Sequence, residues 1–73
     1  MLKEMIEAIR QTARERYETS YGWQVIEECY TDQELEEDIT EYNLQTVEEA
    51  ILHFDSIARL RTERFEEAQS EIF

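Results

Sequence analysis

Apolar residues recur along this chain with helical spacing. From Leu2 to about Ser20 the set Leu2, Met5, Ile6, Ile9, Ala13 and Tyr17 steps by three or four positions with charged residues opposite, the pattern of a helix that buries one face. Gly22, the only glycine, follows that stretch and is predicted to stop the helix by adopting the left-handed conformation. There is no proline, and Ala, Glu, Arg, Leu and Gln dominate, so little interrupts helical structure elsewhere.

The next segment, Trp23 to Tyr30, fits two patterns. As a helix it places Trp23, Ile26 and Tyr30 on one face with Val25 and Cys29 beside them, whereas a strand would set Glu27 on the same face as Trp23, Val25 and Cys29. Helix is preferred. Thr31-Asp32-Gln33-Glu34 is a capping box, in which the Thr31 hydroxyl accepts from the Glu34 amide and the Glu34 side chain reaches back to the Thr31 amide. Tyr30 and Leu35 hold the two hydrophobic-staple positions around it. A helix is therefore expected from Asp32 to about Asn43, with Leu35, Ile39 and Tyr42 inward.

Thr46-Val47-Glu48-Glu49 repeats the capping pattern and starts the last helix. Val47, Ile51, Phe54, Ala58, Arg61, Phe65, Ala68 and Ile72 then alternate steps of four and three, the seam of a helix that packs along its length. Ala50, Ile57 and Leu60 widen the stripe. Arg61 interrupts it as a rim residue whose stem lies on apolar surface. The expected fold is all-α: a small compact bundle of three to four helices with a long C-terminal helix, residues 1–73 forming one acidic domain. A chain of 73 residues buries only about 60% of its unfolded surface, so its stability is expected to be modest or assisted by oligomerisation.

Charge sharpens this picture. Residues 17–58 hold twelve carboxylates and no Lys or Arg, while the two ends carry all seven basic residues and sum to zero, so the net −12 resides in the middle. A field of one sign attracts cationic surfaces and repels nucleic acid and anionic membrane. At 41% apolar with clear periodicity, the chain is not a disordered acidic tail. On the helix after Thr31, Glu34, Glu37 and Glu41 project opposite Leu35, Ile39 and Tyr42, with Asp38 adjoining. Like charges three and four apart cost about 0.2–0.5 kcal/mol each. Helix stability alone would favour interspersed lysines. These four residues, extended by Glu27 and Glu28, are the expected partner-binding surface, and Tyr21 and Trp23 are interface anchors if exposed.

The same residues give little support to catalysis. No phosphate-cradling loop is possible with one glycine; Cys29 and His53 are more simply a small hydrophobe and a boundary residue than a thiolate–imidazole pair. The only histidine follows Glu49 by four residues rather than the three of a di-iron helix motif, and no calcium-loop pattern occurs. No enzyme activity, cofactor or metal is expected. A lone cysteine, the lack of a secretory hydrophobic region and the lack of a run of ~20 apolar residues favour a cytoplasmic protein without a membrane partner.

In size, acidity and lack of catalytic residues the chain resembles the small phage-borne inhibitors of bacterial nucleic-acid-targeting defences, such as anti-CRISPR and anti-restriction proteins. The resemblance is one of character over the whole chain and involves no diagnostic motif. It implies a nucleic-acid mimic that occupies the basic surface of a nucleic-acid-binding protein without contacting nucleic acid itself. The alternative is a helical adaptor or homodimer built on the C-terminal helix, in which the acids only solubilise.

Overall fold

A computed structural model describes the backbone of residues 1–72 and the side chains of residues 1–69. Four helices follow in order: α1 (Leu2–Arg16), α2 (Tyr21–Cys29), α3 (Asp32–Glu41) and α4 (Val47–Ile72). Among the described residues there is no strand. The all-α bundle with a long C-terminal helix is the fold that the periodicity predicts.

The core draws on every helix: Met5, Ile9 and Ala13 from α1, Trp23 and Ile26 from α2, Leu35 and Ile39 from α3, and Ala50, Phe54 and Ala58 from α4. α4 packs on α2 and α1, and α3 rests chiefly on α1. This layout leaves the outer side of α3 open to solvent.

Gly22 does not stop α1. That helix ends at Arg16, short of the expected Ser20, and the Ser20 amide closes the turn by donating to the Arg16 carbonyl at 2.9 Å. Ser20 is instead the N-cap of α2, its backbone extended and its hydroxyl accepting from the Trp23 amide at 3.3 Å. Gly22 lies buried in the first turn of α2, where its amide donates to Thr62 Oγ1 at 2.9 Å and the backbone of Ala58 fills the space a side chain would need. Thr62 in turn donates to the Ala58 carbonyl at 2.9 Å. The glycine is required by a close crossing of α2 and α4, not by a left-handed turn.

α3 starts as expected. The Glu34 amide donates to Thr31 Oγ1 at 3.1 Å and the Thr31 amide donates to Glu34 Oε1 at 3.2 Å, completing the box. Its end is equally defined: Asn43, at φ 53, takes the left-handed position usually held by glycine. The Asn43 amide then donates to Thr40 at 3.2 Å and the Leu44 amide to Ile39 at 2.9 Å, the paired bonds of a Schellman turn. The helix therefore ends two residues before the expected Asn43, and Tyr42, expected inward, is 57% exposed because the turn carries it past the core face.

At the start of α4 the Glu49 amide donates to Thr46 Oγ1 at 3.1 Å, but the Glu49 carboxylate accepts from the Gln45 amide at 3.3 Å rather than from Thr46. Thr31→Ala and Thr46→Ala are each expected to lower stability by about 0.5–2 kcal/mol in urea titrations, because each removes an acceptor for an orphan helix amide. Unchanged midpoints in both variants would show that packing alone sets these helix starts.

The predicted α4 seam is used over half its length. Ala50, Phe54 and Ala58 are buried, and Val47, Ile51 and Ile57 are half-buried, but Arg61, Phe65 and Ala68 are exposed; the Ile72 side chain lies outside the described residues. Twenty-six residues extend roughly 39 Å at about 1.5 Å per residue, longer than the short helices beside them. The molecule accordingly measures 46 × 22 × 19 Å.

Candidate protein-binding face

The acidic block is not uniform in space, because cations outside it in sequence fold back onto it. Arg10 is largely buried and serves the α2–α3 corner: its guanidinium donates to the carbonyls of Ile26, Glu27 and Tyr30 and to Asp32 Oδ1 at 3.0 Å. The planar fork thereby gathers carbonyls at the end of α2, adding to the Tyr30 amide at Ile26, and holds the first residue of α3. Arg14 stands 3.5 Å from Glu27 Oε1, and the other Glu27 oxygen is buried, 4.0 Å from Arg10.

Asp55 is a second junction. Its carboxylate accepts from Arg16 at 2.8 Å, from Arg59 at 3.1 Å and from the Trp23 indole N–H at 3.1 Å. Arg16 also lies over the Trp23 ring, 5.8 Å from its centroid. Three of the twelve carboxylates in the block, Glu27, Asp32 and Asp55, thus pair with arginine.

α3 contrasts with this. Among the described residues no Lys or Arg pairs with Glu34, Glu36, Glu37 or Glu41, and all four are exposed. Glu37 and Glu41 project opposite Leu35 and Ile39, while Glu36 and Thr40 flank them on one side. Together with Asp32 and Gln33 they line an open groove of about 600 Å³. Every lining residue belongs to one helix, so this is a corrugated face suited to a macromolecular surface, not an enclosed ligand pocket.

The sequence-derived site residues divide accordingly. Glu37 and Glu41 stand on the open face. Glu34 is exposed beside them, its carboxylate also engaged in the capping box. Asp38 is half-buried, with Oδ2 3.6 Å from His53 Nε2, and the His53 ring packs against Tyr42 at 4.5 Å and Phe54 at 5.0 Å. Glu27 faces inward to Arg10 and Arg14, and Glu28 accepts from the Tyr17 hydroxyl.

Trp23, considered as an anchor if exposed, is 1% exposed and sits in the core; the Asp55 acceptor for its indole N–H is what lets the whole ring be buried. Tyr21 is exposed at 39% and stacks on Phe65 with 4.2 Å between ring centroids. Glu36, Gln33 and Thr40 belong to the face and were not singled out by sequence. Their signal was present in the helical wheel, where they border the Glu37–Glu41 side.

Cys29 is exposed rather than a buried hydrophobe. Among the described residues no group of three or more His, Cys, Asp or Glu is arranged to hold a metal ion, and no helix is long and apolar enough to cross a membrane. No protein-family model matches the chain, and no significant match is found to a curated protein or a solved structure.

Proposed function

We propose that this protein is a non-catalytic inhibitor or modulator whose α3 face occupies the basic groove of a nucleic-acid-binding protein. The observation that carries this reading is the run of carboxylates along the outer side of α3: Glu34, Glu36, Glu37 and Glu41 lie exposed on one short helix with no Lys or Arg paired to them among the described residues, while Glu27, Asp32 and Asp55 nearby are held by arginines. Setting aside Asp32, paired with Arg10, and the half-buried Asp38, the four remaining carboxylates over the ten residues of α3 give roughly one charge per 3.8 Å of helix axis, against one per ~1.7 Å of a DNA duplex or ~3.4 Å of a single strand. A groove built for phosphates meets there a run of negative charge spaced much like one nucleic-acid strand. The unpaired acids also repel one another, at about 0.2–0.5 kcal/mol per neighbouring pair, a local cost that a cationic partner offsets.

The proposal is tested with Glu36, Glu37 and Glu41 replaced together by Gln. This keeps size and helix propensity, removes three charges, and leaves Glu34 in its capping box. Capture from cell lysate followed by mass spectrometry is expected to enrich basic nucleic-acid-binding proteins on the wild type and to lose them on the variant. Affinity for the recovered partner is expected to become less dependent on salt in the variant, since fewer charges are engaged. Identical capture by both proteins would leave the acidic face as a solubilising surface only.

A further inference from the structure

The described end of α4 runs past the bundle without cover. Thr62 and Phe65 meet α2 through Gly22 and Tyr21, and beyond them Glu66, Glu67, Ala68 and Gln69 are all exposed. A short stretch of helix with no tertiary packing is marginal in water, and this one has acidic residues near its C-terminal end and no basic residue in its last turn, an unfavourable match to the helix dipole. The same end carries exposed apolar groups. Leu60 is 48% and Phe65 38% exposed, and with Tyr21, Ile57, Arg61 and Arg64 they line a groove of about 380 Å³.

We infer that this end of α4 pairs antiparallel with the same segment of a second copy, giving a two-fold dimer that carries one acidic α3 face at each end. Charge selects the occupant. Residues 59–73 hold three basic and four acidic groups, so this is a nearly neutral part of a chain whose net charge is −12. Two copies can meet here without opposing their acidic faces. His53, which touches α3 through Asp38, precedes Phe65 by twelve residues, roughly 18 Å of helix axis. That exceeds the ~8 Å screening length at physiological salt.

Within the segment, Arg61 and Arg64 form no ion pair among the described residues, and Glu67 lies one turn beyond Arg64. Antiparallel pairing near Phe65 brings Arg64 of each copy towards Glu67 of the other, a contact made twice by symmetry. Parallel pairing would set like charge against like. A dimer of this kind presents two α3 faces pointing apart, fit for two grooves or two copies of one partner.

The test is sedimentation equilibrium of the full chain from about 1 μM to about 1 mM, concentrations that bracket ordinary protein association. The wild type is expected to pass from monomer to dimer mass. Arg64→Glu and Glu67→Arg alone are each expected to weaken dimerisation at least about tenfold, because each places two like-charged pairs across the interface. Mixed in equal amounts, the two variants are expected to associate with each other, since every cross-contact is then complementary. Both substitutions lie at exposed positions, so unchanged circular dichroism is the control for folding. A wild type that stays monomeric throughout, a dimer indifferent to both substitutions, or variants that fail to associate on mixing would each overturn the inference.

Discussion

Phe54→Ala is expected to lower the unfolding free energy by about 3–5 kcal/mol, the range for deleting a fully buried aromatic ring. Phe54 is 0% exposed and packs edge-on against Tyr30 at 6.0 Å and His53 at 5.0 Å, so its removal opens a cavity where α4 meets the α2–α3 corner. The surrounding Ala50 and Ala58 are too small to fill it. For a 73-residue chain the whole stability is of order 4–11 kcal/mol, so this loss is a large fraction of it. Thermal melts are expected to show a fall of roughly 15–30 °C. Leu52→Ala, on the same helix but 66% exposed, is the matched control and is expected to change stability by less than about 0.5 kcal/mol. A loss below half a kilocalorie in Phe54→Ala would place this ring outside the core.

Gly22→Ala pits two effects of opposite sign against each other. Within a helix, alanine is favoured over glycine by about 0.8–1.0 kcal/mol, so local propensity predicts a more stable protein. The added methyl, however, would fall on the backbone carbonyl and Cα of Ala58, which belong to a helix and cannot turn aside as a flexible side chain can. Separating α2 from α4 to admit it also stretches the bond from the Gly22 amide to Thr62 and loosens Trp23 in the core. The clash is expected to prevail, with a net loss of about 2–3 kcal/mol. Chemical denaturation decides the sign. A stabilised Gly22→Ala would mean that the two helices do not cross this closely.

Gly22 also shows where the sequence stops being legible. In sequence, a glycine after an amphipathic stretch signals a helix end, and only the position of Ala58, thirty-six residues away, gives it another use. The Thr31–Glu34 box and the Thr46 cap were readable because their partners lie three residues apart, whereas the return bond expected from Glu49 to the Thr46 amide goes to Gln45 instead. The end of α3 was harder, since Asn43 fills a position that glycine more often takes. The heptad seam of α4 continued in sequence beyond the point at which the shorter helices end, and periodicity alone carries no record of where a neighbour stops.

The candidate face divides in the same way. Glu37 and Glu41 were identifiable from helix geometry relative to Leu35 and Ile39. The inward pairing of Glu27 and the three-way junction at Asp55 were not, because their partners Arg10, Arg14, Arg16 and Arg59 come from outside the acidic block. Trp23 was buried by an acceptor thirty-two residues distant.

If the α3 face occupies a basic groove as proposed, it competes there with nucleic acid. Titration of this protein into its captured partner already loaded with fluorescently labelled DNA or RNA, followed by anisotropy and by native mass spectrometry, reads that competition. The wild type is expected to release the labelled strand in proportion to the protein bound, and the Glu36, Glu37 and Glu41 to Gln variant to release far less at the same concentration. A stable complex holding partner, nucleic acid and this protein together would contradict that competition.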